Sequence, residues 1–215
     1  MLLFLDIIDL TCEFLETWLH QILYQCELYP KTIFKLQKKF EVPVHIAVHP
    51  DVQNYLSLFI QSCHSQLEKG DVKSISLNLI EENGDSKAIV EKFVFEINST
   101  ALKQSTSLPL NTLLKSESTY SIEDIEQYLR TCLIKIRTYE SSSVIKKEPR
   151  TFSLSIERFE GGYPDLDRNT DWVPEDNLEQ NWKHLVPLKT VSIDLFRFNI
   201  YVKVASSRKG KERCP

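Results

Sequence analysis

Between Val52 and Ile97 the spacing of apolar side chains changes once, and that change constrains the fold more than any other feature of the chain. Val52, Tyr55, Leu56, Phe59, Ile60, Cys63 and Leu67 recur at intervals of three and four residues, the period of a helix with one apolar stripe. His49-Pro50-Asp51 precedes them. That suits a helix start, because proline needs no donor in the first turn and an acid complements the helix dipole. Gly70 follows them, where a residue free to take a left-handed conformation ends a helix. From residue 72 the period drops to two, in VKSISLNLI (72–80) and VEKFVFEI (90–97), with Asn83-Gly84 between them as a hairpin signal. A helix that runs directly into a two-stranded ribbon points to an α+β organisation.

The rest of the chain extends this pattern. Phe14, Leu15, Trp18, Leu19, Ile22 and Leu23 form one stripe inside a helix predicted over 3–27, which Tyr29-Pro30 ends by disfavouring a helical predecessor. KLQKKFEVPVHIAV combines a basic cluster with β-branched residues, and Pro43 suggests a short edge strand or hairpin. Residues 98–120 read as a loop. Ser121 with Asp124 resembles an N-cap pair opening a third helix, whose apolar face is Ile122, Ile125, Leu129, Cys132, Leu133 and Ile136. TFSLSIERF (151–159) is a strand, and LVPLKT (185–190) and DLFRFNIYVKV (194–204) are strand-like. Between them DWVPEDNLEQNWKHLVPLKT (171–190) has no period and two prolines, yet carries Trp172 and Trp182, two of the chain's three tryptophans. The basic tail SSRKGKERCP is expected to be disordered. The order predicts an antiparallel sheet covered on one face by three helices.

Chemistry finds little to hold on to in this pattern. The net charge of -4 gives no overall footprint for a phosphate backbone, so direct nucleic-acid binding is not expected. Asp6, Asp9 and Glu13 interrupt the apolar start too early for a signal peptide, and no apolar run is long enough to span a membrane. The five cysteines are an odd number at wide spacings with no C-x-x-C pair, which reads as free thiols, four of them packing as small hydrophobes. His45 and His49 lie four apart, but in a segment that changes from strand to helix, so they do not share a face as metal ligands would. No phosphate-binding or nucleophile-elbow motif is present, and the chain has only five glycines. The enzyme hypothesis has no residue to carry it, and no cofactor or metal is expected.

The segments YPKTIFKLQKKFEVPVHIAVHPDVQNYL (29–56), EKGDVKSISLNLI with VEKFVFEI (68–97), IEDIEQYLRTCLIKI (122–136) and HLVPLKT with FNIYV (184–202) together resemble the HORMA-domain proteins. Within that family they are most similar to the accessory subunits of translesion DNA polymerase zeta, the mitotic arrest-deficient 2-like B branch. The resemblance implies a single HORMA domain over 3–204, with a core of about 3–158, a safety belt of about 159–204 and a basic tail at 205–215. It also implies a non-catalytic nuclear adaptor. Such a domain traps an extended proline-containing peptide of the polymerase zeta catalytic subunit beneath its belt and bridges to the C-terminal domain of a second translesion polymerase. The alternative within the family is a checkpoint or meiotic adaptor that captures a different closure motif.

The same resemblance implies residue roles. Tyr55 and Trp172 match the family's peptide clamp, with Tyr29 as a third candidate. Leu185, Asn199 and Tyr201, with Lys189 nearby, match the surface for the second polymerase, and Asn199 is shorter than the Gln usual there. Arg130 matches an arginine of the HORMA homo- or heterodimer interface. From the stripe alone Tyr55 reads as core and Arg130 as a solvated helix face, and the resemblance assigns Trp182 no role.

Overall fold

A computed structural model describes residues 4–83, 86–99, 121–141, 149–159, 182–193 and 196–205. Helix α1 (Phe4–Gln25) is buried on nearly every side. Its stripe of Phe14, Leu15, Trp18, Leu19, Ile22 and Leu23 is wholly sequestered. The helix stops earlier than the proline signal predicts. Glu27 takes a left-handed φ of 52°, and the Leu28 N–H donates back to the Leu23 carbonyl. That six-residue bond is a Schellman closure, so Tyr29-Pro30 lies beyond a stop already made.

The basic segment forms a separate two-stranded hairpin of β1 (Phe34–Lys39) and β2 (Val42–Ala47). Its turn puts Phe40 and Glu41 at φ 49° and 59°, the doubly left-handed geometry that matches strand twist but normally selects Asn and Gly. Two contacts hold the strained turn. The Phe40 ring meets Phe14 edge-on at 6.0 Å, and Arg130 Nε donates to the Phe40 carbonyl at 3.0 Å. The far side of β2 is closed by α1, whose Gln21 Oε1 accepts the His45 N–H at 2.9 Å and whose His20 Nδ1 accepts the Ala47 N–H at 3.3 Å.

Helix α2 (Pro50–Lys69) begins and ends where the sequence predicts. Pro50 occupies its first turn, and Gly70 closes it at φ 72° with its N–H directed to the Gln66 and Leu67 carbonyls. Its buried face is Val52, Leu56, Phe59, Ile60, Cys63 and Leu67. Tyr55 is not part of that face but 49% exposed, a correction to the stripe reading. Helix α3 (Ile122–Arg137) opens with a reciprocal capping box: Ser121 Oγ accepts the Asp124 N–H at 3.2 Å, and Asp124 Oδ2 accepts the Ser121 N–H at 3.0 Å.

Strands β3 (Val72–Asn83), β4 (Ser86–Ser99), β5 (Arg150–Arg158), β6 (Trp182–Ile193) and β7 (Phe196–Ala205) form one antiparallel sheet in the order β5-β3-β4-β7-β6. Strands β3 and β4 outrun their predicted lengths and meet at the pair Asn83–Ser86, where the turn signal stands. Ile75, Leu77 and Leu79 of β3, Phe93, Phe95 and Ile97 of β4, and Phe198, Ile200, Val202 and Val204 of β7 are buried. They lie on the face toward α1, where Phe95 meets Phe14 at 5.8 Å and Trp18 at 6.4 Å. The irregular reading of 171–190 is corrected at its end: Trp182 opens β6, opposite Ala205. Among the described residues no helix is long and apolar enough to cross a membrane. The loop predicted over 98–120 (from residue 100 on), most of the 159–204 belt and the tail from 206 lie outside the described residues.

Candidate functional site

The order of the large sheet leaves β5 at one border, bonded to β3 on one side. Two bonds set the phase of that ladder. The Glu82 N–H donates to the Pro149 carbonyl, and the Phe159 N–H donates to the Asp71 carbonyl, both at 3.0 Å. In an antiparallel pair, bonding to a given neighbour alternates along the strand. The odd-numbered residues of β5 therefore face β3. Arg150, Phe152, Leu154, Ile156 and Arg158 direct their backbone donors and acceptors to the open side, which no described strand occupies. The side chains of Phe152, Leu154 and Ile156 pack, half-buried, against the core.

Three aromatic rings converge beside this border. Tyr55 projects from α2 and meets Phe152 edge-on, with centroids 5.9 Å apart and planes at 74°. Tyr29, carried by the connection that follows the Schellman stop, also meets Phe152 edge-on, at 6.3 Å and 78°. Burial raises the pKa of the Tyr55 phenol, and Tyr29 adds to it. The structure thus brings together two of the three residues predicted to contact a peptide. Trp172 lies outside the described residues. Phe152, the ring that joins the pair, has no place in the predicted site. Its only sequence signal is an aromatic at an alternating position of TFSLSIERF.

At the opposite border, β6 and β7 carry the second predicted set. Leu185 is 52% exposed and stands across from Lys203, while Pro187 stands across from Tyr201. A register shift between Pro187 and Lys189 then re-aims the strand. Asn199 and Tyr201 share the face that looks away from the helices, as alternation requires. The Asn199 amide donates to Glu96 Oε2 at 2.9 Å. Burial pushes the Tyr201 phenol up to about 12, with Glu96 and Glu157 contributing. Lys189 does not join them. It stands opposite buried Ile200, with its ammonium 5.4 Å from the Tyr128 ring of α3. Arg130, predicted for a dimer interface, is half-buried and bonded to the hairpin turn.

The cysteines of the described residues and His45 are occupied in packing. Cys12, Cys26, Cys63 and Cys132 are buried free thiols whose pKa values burial raises, the condition of an inert sulfur. Among the described residues no group of three or more His, Cys, Asp or Glu could hold a metal. His45 stacks flat on Tyr24 at 3.5 Å, and His49 begins α2. A recess between α1, α2 and the sheet is lined by Ile7, Leu67, Val72 and Phe198 without a titratable side chain.

Comparison with known proteins bears on the family and the fold. A family model of the HORMA domain matches residues 8–156. The "Mitotic spindle assembly checkpoint protein MAD2B" of Bos taurus is 31% identical over 204 residues, covering 91% of this chain and 89% of that protein. The "DNA polymerase zeta processivity subunit" of Schizosaccharomyces pombe is 25% identical, covering 91% and 92%. Among solved structures, a chain of the mitotic checkpoint complex superposes with a TM-score of 0.68 at 16% identity, covering 93% of this chain and 98% of that one. C. elegans HTP-2 bound to the HIM-3 closure motif does so with a TM-score of 0.66 at 12% identity, covering 93% and 90%. At those identities the likeness is one of fold.

Proposed function

This chain belongs to the HORMA-domain family, and from that premise we propose that it is a non-catalytic adaptor subunit of DNA polymerase zeta that captures an extended, proline-containing peptide of the catalytic subunit. The observation that carries this reading is the β5 border. Phe152, Leu154 and Ile156 turn backbone groups there to a side that no described strand occupies, and three aromatic rings stand beside it. An extended peptide satisfies such an edge as an added strand, its main chain supplying affinity and the pockets beside it choosing the sequence. Tyr55 and Tyr29 present rigid faces on which proline rings stack. The relatives named for polymerase zeta and the closure-motif complexes among the structural neighbours support the reading.

The C-terminal strands are consistent with a belt closed over such a peptide, since β7 pairs along β4 and leaves β5 clear. Trp172 belongs to this proposal as the belt's jaw opposite Tyr55, and a nuclear site of action belongs to it as well. The β6–β7 face, with Leu185, Asn199 and Tyr201, is proposed to dock the C-terminal domain of a second translesion polymerase. Arg130 is proposed for association between HORMA domains. Affinity capture from cells with identification of the bound proteins tests the reading. Polymerase zeta subunits are expected, lost on Tyr55→Ala or Trp172→Ala. Recovery of checkpoint or meiotic-axis proteins in their place would transfer the same mechanism to another pathway.

A further inference from the structure

Trp182 is the largest side chain on the β6–β7 face, and the predicted docking residues leave it without a role. It opens β6 on the side shared by Leu185 and Tyr201. Between the rings of Trp182 and Tyr201 lies Lys203, whose ammonium is 5.9 Å from each centroid. A lysine that only aids solubility extends into water. This one is laid across two aromatic faces, which hold a cation by their quadrupoles and partly dehydrate it.

The register partners of Lys203 include no carboxylate. Its register partner on β4 is Lys92, a second cation on the same face, whose charge also acts on Glu157. The acid two pairs along is Glu96, and its carboxylate is engaged by the Asn199 amide. Among the described residues no carboxylate forms an ion pair with Lys203. Exposed Leu185 stands directly opposite it on β6. A partly dehydrated cation set in an apolar surround, beside a second cation, is complementary to a carboxylate presented within an apolar protein surface. Phosphate would answer the charge but not Leu185 and Pro187, and the chain's net charge of -4 opposes nucleic acid.

We propose that the β6–β7 face recognises a protein partner through an apolar contact on Trp182, Leu185 and Tyr201 together with a partner carboxylate seated on Lys203, so that Trp182 and Lys203 determine which partner is accepted. This rests on the reading that the face docks a second polymerase, and it adds the charge and the aromatic anchor that choose among such domains.

The test titrates the full chain with the C-terminal domain of the second translesion polymerase of the same organism, by calorimetry at low and high salt. Lys203→Glu and Trp182→Ala are each expected to weaken binding about tenfold or more, with unchanged thermal unfolding midpoints. Exchanging one acidic residue of the domain for lysine is expected to restore binding to the Lys203→Glu chain. Unchanged binding by both variants, with loss on Leu185→Ala, overturns this inference and leaves the docking role standing. Failure of every acid-to-lysine exchange to restore binding overturns the carboxylate. No binding by the unaltered chain overturns both the inference and the docking role. Tighter binding of a duplex oligonucleotide, lost on Lys203→Glu, overturns the inference in favour of phosphate.

Discussion

The two borders of the five-stranded sheet are built to opposite ends. At β6 the border is blunted: Pro187 lacks a donor, the register shifts at two places, and the side chains that matter point off the face. At β5 the ladder runs without a proline from Arg150 to Arg158, and every second residue keeps its backbone groups turned outward. Natural proteins protect sheet edges because an open edge recruits other strands. An edge left open beside three aromatic rings is what the proposed peptide capture requires. Strand β2 makes the same point from the other side, since the outward N–H groups of His45 and Ala47 are taken up by Gln21 and His20 of α1. On the proposed reading one border binds with its backbone and the other with its side chains, while a third is closed internally.

The largest expected effect separates the two sides of β5. Leu154→Pro removes an N–H from the open side only, so the sheet should survive while peptide capture weakens by about a hundredfold or more. Ser155→Pro removes an N–H that bonds β3 and should cost the fold instead. Calorimetric titration with a partner peptide, alongside thermal unfolding of both variants, checks the pair. Equal behaviour would mean that the phase assigned to the ladder is wrong.

The closed border at β2 should be sensitive to acid. Burial lowers the His20 pKa from 6.5 to about 4. The unfolded chain therefore takes up a proton near pH 6.5 while the folded chain does not. Stability is full above that pH and falls progressively as the pH drops to about 4, by a total on the order of 3 kcal/mol. Denaturant unfolding across that range measures the loss, and His20→Gln should flatten it.

Truncating Tyr55 should cost capture roughly 2 kcal/mol with little change in stability, because the ring is half exposed and acts on a ligand. Competition binding measures the first and thermal unfolding the second. A large fall in stability with unchanged capture would return Tyr55 to the core. The smallest effect belongs to β6. Pro187→Thr restores a donor to the blunted border and should raise self-association modestly, by light scattering at high concentration, without altering peptide capture.

Much of the local structure was legible in the chain. The Ser121–Asp124 cap, the Gly70 stop and the Asn83-Gly84 turn depend on groups within a few residues of one another, and such interactions form without knowledge of the rest of the molecule. The first helix's stop was misattributed for a related reason. A Schellman bond closing through Glu27 leaves no glycine to mark it, and Tyr29-Pro30 stood nearby as a more visible signal. Tyr55 was read into the helical stripe because a spacing of three and four cannot locate the boundary of a face. Lys189 was grouped with Leu185 because a register shift inverts facing without changing composition.

The sequence by itself therefore determined the order of the main elements, the caps of the second and third helices and the family, since each rests on periodicity, short-range bonding or residues compared one by one. Through the family resemblance it also supplied Tyr55 and Trp172 as a clamp, with Tyr29 as a third candidate. Only the tertiary structure decided which strands became borders, because a strand's neighbours come from distant parts of the chain: β5 lies beside β3, some 75 residues earlier in sequence at the pair Asn78–Ser153. The same long-range pairing put Phe152 against both tyrosines, turned the Leu154 backbone groups toward the open side and set Lys203 beside both Trp182 and Tyr201. What a border exposes is settled by the strand it lacks, and no local stretch of sequence records that.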